Sequence, residues 1–268
     1  MMEDGPGLGR AVAFGLMASA AFPIGVLIGL FWTPPRKIVA AVIAFGAGVL
    51  VCALSFELME EAFETGTTLS TVAGFMLGAL IYVVLDQITD RMAAKSSPKR
   101  EGTEPFQVDE DAPPPKTDEQ ATVSGIAVLM GTALDGIPEN AAIGVGIAAE
   151  EGPGLGIVLL GAVFLSNLPG AMSSTIGMKH EGRSATYILT AWGIVALACV
   201  ASVILGFELL AGMPDAFQSA LLALAAGGIL AMLSDTMFPD AFRTGGPWVA
   251  MSTASGFALA FLLSRYAG

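Results

Sequence analysis

Apolar runs of about 20 residues recur along the whole chain, and they restrict its fold more than any other feature. A helix of about 20 apolar residues is long enough to cross the ~30 Å hydrocarbon core of a bilayer. The composition agrees, because 54% of the 268 residues are hydrophobic and only 13% are charged, whereas a soluble domain has about 25% charged residues. The sequence therefore predicts an all-α, polytopic membrane protein.

Charges, prolines and glycines divide the chain into eight predicted spans. They lie at residues 10–32, 38–60, 68–90, 122–148, 154–178, 185–209, 215–238 and 247–266. The first run has one feature of a signal peptide, the sequence ASA, but it is longer than the apolar part of a signal peptide and is followed at once by the cationic sequence TPPRK. We expect a retained first span and one transmembrane domain over residues 1–268.

The only long polar segment, residues 92–121, lies between the third and fourth spans. It is acidic, rich in proline and short of large apolar residues, a composition typical of disorder. Ten of the twelve Lys and Arg residues fall in the four loops on the same side as this segment. Because positive charge marks cytoplasmic loops, we predict that this segment is cytoplasmic and that both termini are extracytoplasmic, in the cell (plasma or inner) membrane.

Two pairs of spans resemble each other in sequence. Residues 47–63, AGVLVCALSFELMEEAF, align without a gap with residues 226–242, AGGILAMLSDTMFPDAF, with six identities in seventeen positions. Residues 70–80, STVAGFMLGAL, align with residues 252–262, STASGFALAFL, with six identities in eleven. In the eight-span arrangement the paired spans cross in opposite directions. We therefore predict an inverted repeat of spans 1–3 and 6–8, as in secondary transporters; the alternative is chance similarity between Ala/Gly/Leu-rich helices.

The fourth and fifth spans lie between the two halves of the repeat, and each has a proline near its middle. The fourth has LDGIPEN at residues 134–140, and the fifth has LSNLPGA at residues 165–171. A proline inside a helix removes one backbone hydrogen bond and kinks the axis. Carbonyl groups freed at membrane depth are tolerated only against protein or a wet cavity. Two such kinks at mid-bilayer predict a chamber that binds an ion.

Four polar side chains lie next to these prolines. Asp135 and Glu139 are four residues apart and therefore share one helix face, and Ser166 and Asn167 lie at the equivalent depth of the fifth span. A carboxylate at the centre of a span costs about 2.5–3.5 kcal/mol. A bound cation, protonation or both must offset that cost. We predict a metal site of these four residues; the alternative is that both acids are protonated and hydrogen-bond across helices as packing contacts.

This pattern resembles the ZIP (Zrt/Irt-like) family of divalent metal transporters. The family's fourth-span motif His-Asn-x-Pro-Glu-Gly corresponds to DGIPEN at residues 135–140, and SFELMEEAF at residues 55–63 resembles the end of the family's second span. The resemblance implies eight spans, outward termini, a variable cytoplasmic loop and a metal site on the kinked fourth and fifth spans. The chain departs from the family at Asp135 (usually His), Gly136 (usually Asn) and Gly170 (usually Glu).

The resemblance implies zinc, or broad divalent uptake, while the residues themselves favour harder cations. The only histidine, His180, lies in a predicted cytoplasmic loop, so the spans contain no imidazole. Carboxylate and amide oxygens suit manganese better than zinc. The predicted cargo is therefore zinc, with manganese, iron or cadmium as alternatives, and we expect no resident cofactor. Cys52 and Cys199 lie within apolar spans, where an inert buried thiol is favoured over a soft metal ligand.

Two further acids are candidates for the path of the cation. Glu57 lies at the outward end of the second span and Asp235 near the inward end of the seventh. We predict that they form an entrance that concentrates cations and an exit that passes them on. For the acids that follow Glu57, solvated helix ends are an equally good interpretation; these are Glu60, Glu61 and Glu64.

Two other classes of function are alternatives to transport. A ZIP-like pseudo-transporter that senses metal or acts as a scaffold is favoured by Gly170, which has no ligand atom. Catalysis by paired carboxylates is disfavoured, because no nucleophile–base pair and no His or Lys lies in the spans, so we expect no enzyme. The expected partners are divalent metal ions, the lipid bilayer and, as an option, a second copy in a homodimer. We expect no nucleic acid as a partner; the net charge of −12 describes the loops and the ends of the spans, whereas nucleic acid binds basic patches.

Overall fold

A computed structural model describes residues 6–96, 136–148, 155–210 and 213–267. Within these residues all regular structure is helical and there is no β-strand, so the prediction of an all-α protein is confirmed. The α-helices are α1 (Pro6–Ser19), α2 (Ala21–Phe31), α3 (Arg36–Ala53), α4 (Glu60–Thr65), α5 (Thr68–Ser96), α6 (136–148), α7 (Leu155–His180), α8 (Ala185–Leu210), α9 (Asp215–Met232), α10 (Phe238–Gly245) and α11 (Val249–Ala267).

Six helical segments in the described part of the chain are long and apolar enough to cross a membrane. They are Gly7–Phe31, Arg36–Thr65, Thr68–Ile88, Leu159–Lys179, Ala185–Leu209 and Asp215–Arg265. This number of apolar helices indicates a multi-pass membrane protein. The first five match five predicted spans, and the sixth covers both the seventh and the eighth. The fourth predicted span is described only over α6, so the total of eight remains a prediction.

The sixth segment contains a break. It is 51 residues long, and one straight helix of that length would extend ~76 Å, more than twice the ~30 Å hydrocarbon core. A 3-10 turn at Gly246–Trp248 begins with Gly246, whose φ of +69° is a conformation that L side chains rarely adopt. Before the break α9 packs against α5, and after it α11 packs against α3. The segment therefore contributes two separately packed helices.

The helices pack in two groups. In the first group α1 and α2 pack against α7 and α8, and α6 joins them, since a Cβ on Gly144 would collide with the Val203 carbonyl oxygen of α8. In the second group α3 packs against α11 and α5 against α9. The two groups meet where α3 lies along α7. The helix that holds Ser166 and Asn167 therefore lies between the groups.

Glycines let the helices of the second group approach closely. A Cβ on Gly48 of α3 would collide with the Thr253 carbonyl oxygen of α11, and a Cβ on Gly227 of α9 would collide with the Phe75 carbonyl oxygen of α5. Small residues at helix contacts are the usual means of helix association in membranes, because close backbone approach maximises van der Waals contact.

Two π-helical segments interrupt the helices of the second group. They are Leu54–Met59, between α3 and α4, and Leu233–Met237, between α9 and α10. Their first residues, Leu54 and Leu233, occupy aligned positions in the sequence comparison of residues 47–63 and 226–242. Single π-helical turns occur frequently at functional sites. The two acids predicted for the entrance and the exit, Glu57 and Asp235, each lie in one of these segments.

The polar segment predicted at residues 92–121 falls largely outside the described residues. The helix α5 continues to Ser96, past the end predicted at residue 90. A helix need not end where its apolar stretch ends, and the last residues of α5 include the good helix formers Arg, Met, Ala and Lys. Disorder beyond residue 96 remains a prediction.

Candidate metal site

The predicted ligands lie on two helices. Glu139 is on α6, and Ser166 and Asn167 are on α7. The fourth predicted ligand, Asp135, directly precedes α6 and lies outside the described residues. The structure therefore brings together three of the four predicted residues and leaves the placement of the fourth as a prediction.

Glu139 and Ser166 are in direct contact. The Glu139 side chain is 1% exposed and Ser166 is 9% exposed. The Ser166 hydroxyl lies 2.9 Å from Glu139 Oε2 and 3.0 Å from the Val163 carbonyl oxygen, and it can donate its single proton to only one of them at a time. When the hydroxyl turns to the carbonyl group of its own helix, its lone pairs become available to a ligand beside Glu139.

Asn167 points its side chain towards α6. It is 4% exposed, and its Oδ1 lies 3.3 Å from the position that a Cβ on Gly136 would take. Its Nδ2 has no hydrogen-bond partner among the residues that the structure describes. Buried amides normally form hydrogen bonds. This amide therefore has the capacity to bind a ligand beside Gly136.

Asn140 is a site residue that the sequence reasoning missed. It is fully buried, its Nδ2 donates to the Gly136 carbonyl oxygen at 2.8 Å, and its Oδ1 has no partner within the described ranges. Gly136 is therefore bordered by two buried amides, one from α6 and one from α7. A signal was present in the sequence, because Asn140 directly follows Glu139 at a position where the family motif has glycine.

The proline of α7 frees a backbone carbonyl group at the boundary between the two helix groups. Pro169 lies inside α7 and has no N–H to donate to the carbonyl oxygen of Leu165, four residues earlier. A Cβ on Gly46 of α3 would lie 3.3 Å from that oxygen, so α3 covers it. The freed carbonyl group is thus covered by protein rather than lipid, as its depth in the membrane requires. Pro138 lies in the first described turn of α6.

The two acids predicted for the entrance and the exit have different environments. Glu57 is 3% exposed, and its π-helical segment packs against α7. Asp235 is exposed, whereas Asp240, five residues later, is 2% exposed and forms an ion pair of 3.3 Å with Arg243. The segment that holds Glu57 therefore contacts the helix of the candidate site, and Asp240, in α10, is the buried acid that follows the second π-helical segment. Sequence position alone did not distinguish Asp240 from Asp235.

The described polar side chains on α6 and α7 next to Glu139 offer oxygen atoms. No group of three or more His, Cys, Asp and Glu side chains occurs within the described residues, and Asp135 lies beyond them. Glu139 contributes a carboxylate, Ser166 a hydroxyl, and Asn140 and Asn167 contribute amides. Gly170, at the position of the family's fifth-span glutamate, is buried in α7 and has no donor atom in its side chain. Such a set can bind a divalent cation through oxygen.

Comparison with known proteins gives one distant relative. No family model matches the chain. A protein of Arabidopsis thaliana that is provisionally named a zinc transporter is 25% identical over 209 residues, which are 78% of this chain and 31% of the relative. The chain thus spans less than a third of that relative's length. This similarity supports metal transport in general terms.

Proposed function

We propose that this chain is a divalent metal transporter of the cell membrane, which carries zinc or a related cation (manganese, iron or cadmium) into the cytoplasm. The proposed ligands are Asp135, Glu139, Ser166 and Asn167, of which Glu139 lies on α6 and Ser166 and Asn167 on α7. The name of the Arabidopsis relative supports zinc as the first cargo to test. The oxygen donors support a wider range of divalent cations. The ZIP-like motifs of the sequence agree with both.

The burial of Glu139 beside Ser166 is the observation that carries this proposal. The carboxyl group is 1% exposed and lies 2.9 Å from a hydroxyl group on the facing helix. A carboxylate in the middle of a span costs about 2.5–3.5 kcal/mol. A hydroxyl group supplies a hydrogen bond but no positive charge, whereas a divalent cation supplies both charge and coordination. Binding of a transported cation would therefore offset the free-energy cost of burying the Glu139 carboxylate.

The packing of the second helix group supports an inverted repeat. The sequence alignment pairs α3 with α9 and α5 with α11, so the contact of α3 with α11 corresponds to the contact of α9 with α5. If the same gap-free register is continued beyond the aligned stretches, Gly66 pairs with Gly245 and Ala40 with Ser219. A Cβ on Gly66 would meet Ser219, and a Cβ on Gly245 would meet Ala40. Related halves are a feature of secondary transporters, whose substrate site lies between them.

Replacement of Glu139 by Gln tests the proposed site. The amide keeps the volume and removes the charge, so Glu139→Gln should fold while the initial rates of Zn²⁺ and Mn²⁺ uptake fall to background. Uptake is measured in cells or proteoliposomes at matched protein amount. Glu208→Gln, which changes an exposed acid of α8, is the matched control and should keep wild-type rates. Wild-type uptake in Glu139→Gln would contradict the metal site.

A pseudo-transporter is the second candidate, and buried Gly170 favours it because one expected ligand is missing. If the purified wild-type protein binds divalent metal but proteoliposomes that contain it accumulate none, the result would favour sensing or scaffolding over transport.

A further inference from the structure

Cys199 of α8 lies next to the candidate site. Its Sγ is 3.5 Å from the position that a Cβ on Gly136 would take, and Asn167 Oδ1 is 3.3 Å from the same position. A sulfur atom and an oxygen atom from two different helices therefore face one small space beside α6, and the edge of the Phe22 ring of α2 borders it, with Cζ 3.1 Å from the same position. The space exists because residue 136 has no side chain.

Two buried amides beside this space have unused hydrogen-bonding capacity. Asn167 is 4% exposed and its Nδ2 has no partner among the described residues; Asn140 is fully buried, and its Oδ1 has none there either. An unpaired buried polar atom costs free energy that a bound ligand can recover. Asn167 Oδ1 already faces the space and can offer oxygen to a cation there. Asn140 Oδ1 is a second buried acceptor, one helical turn from Gly136 on α6.

The thiol and the buried carboxyl group lie about one helical turn apart along α6. Cys199 Sγ is 3.5 Å from the Cβ position of Gly136, and Glu139 follows three residues later on the same side of the helix. Cys199 is fully buried and forms no disulfide. Three helices, α6, α7 and α8, thus bring a carboxyl group, two amides and a free thiol to one place. Sulfur and carboxylate together are donors that zinc accepts.

We propose that Cys199 is a thiolate ligand of the transported metal and gives the site a preference for zinc and cadmium over manganese. This inference rests on the proposed metal transport. Soft thiolate ligands select zinc and similar cations, whereas manganese prefers oxygen. The thiol loses its proton to water when the metal binds, as cysteine ligands do. The sulfur supplies a soft donor at a site that has no histidine nearby, since the only histidine of the chain, His180, lies outside the predicted spans.

The test uses Cys199→Ser, with Cys52→Ala as the matched control, because Cys52 is the other buried free thiol and lies in α3 of the second helix group. Purified proteins are titrated with Cd²⁺, and the ultraviolet sulfur-to-cadmium charge-transfer band is recorded. The band should form in the wild type and in Cys52→Ala and be absent in Cys199→Ser. In proteoliposomes, the Zn²⁺:Mn²⁺ ratio of initial uptake rates should fall at least ~10-fold in Cys199→Ser and stay unchanged in Cys52→Ala.

If Cys199→Ser does not fold, the test uses Cys52→Ala alone. Cys199 is the only thiol of that variant, so a cadmium band in it can come only from Cys199. A Cys52→Ala protein without the cadmium band would overturn the proposal, as would an unchanged band and uptake ratio in folded Cys199→Ser. The binding measurement does not require transport. A wild type that takes up no metal would therefore contradict the proposed function, while the cadmium band would still decide the role of Cys199.

Discussion

A carboxyl group as buried as Glu139 is stable only if its charge is neutralised or its oxygens accept hydrogen bonds. Ser166 provides one hydrogen bond across the helix contact, and Asn140 and Asn167 border the same part of α6 through Gly136. At the residue scale, the site thus combines one described acid with neutral polar groups. A substitution that gives a neighbouring residue a different ligand atom should therefore change the metal preference of the site more than the free energy of unfolding.

Asp135→His should shift the preference towards zinc, because an imidazole nitrogen is a better zinc ligand than a second carboxylate oxygen. The expected result is a higher ratio of Zn²⁺ to Mn²⁺ initial uptake rates than in the wild type. Asp135→Asn, which removes the charge without adding an imidazole, is the control and should lower the uptake of both metals. Equal ratios in Asp135→His and the wild type would exclude Asp135 from the site.

At the scale of helices, close backbone contacts hold the second group together. Gly48 brings α3 against the Thr253 carbonyl group of α11, and the freed Leu165 carbonyl group of α7 is covered by Gly46 of the same α3. The helix α3 thus uses two glycines, two residues apart and on different faces, to contact one helix of each group. A larger side chain at Gly48 would push α3 away from α11, and one at Gly46 would push α3 away from the Leu165 carbonyl group of α7.

Gly48→Ala should destabilise the protein, because the added Cβ would collide with a backbone carbonyl group that cannot move without shifting α11. We expect a loss of about 1–3 kcal/mol, typical of overpacking, measured as a lower Tm in detergent. Gly193→Ala is the control, since a Cβ there has no atom within 4 Å among the described residues, and it should keep the wild-type Tm. Equal Tm values for the two variants would show that the α3–α11 contact is less close than described.

At the scale of the whole molecule, the relative directions of the helices agree with the predicted crossings. The hydroxyl groups of Thr71, at the start of α5, and Ser219, at the start of α9, are both buried and lie 2.9 Å apart. The two helices therefore begin on the same side, as the predicted third and seventh spans do. The side that faces the cytoplasm is predicted from the charge asymmetry of the loops, and labelling of introduced cysteines tests it.

Pro114→Cys should react with a membrane-impermeant thiol reagent only after the cells are permeabilised, because Pro114 lies in the segment predicted to be cytoplasmic. Met213→Cys, between α8 and α9, is the control for the opposite side and should react in intact cells. The native cysteines are both buried, so background labelling should be low. Labelling of Pro114→Cys in intact cells would reverse the orientation.

The sequence alone determined the helical class and five spans, each of which matches one apolar helical segment of the described structure. It also placed Glu139 and Ser166 at the same depth, and the two side chains are in contact. The length of an apolar run and the position of a proline are local properties, and the bilayer converts them directly into helices and breaks. Matching depth in two neighbouring spans was enough to bring Glu139 and Ser166 together. A break within residues 215–265 also follows from length, since the segment exceeds one crossing.

Only the tertiary structure decided which other side chains meet at Gly136. Asn167 and Cys199 reach this residue because of how α7 and α8 are rotated and how deeply they pack against α6. The bond of Asn140 to Gly136 is local, since the two residues are one helical turn apart. The burial of Glu57 and Asp240, against the exposure of Asp235, is likewise a result of how the surrounding helices pack. In a soluble protein, polarity marks the outer face of a helix, but in a bilayer the faces towards lipid and towards neighbouring helices are both apolar. Helix rotation therefore leaves no trace in hydrophobic periodicity, and only packing fixes it.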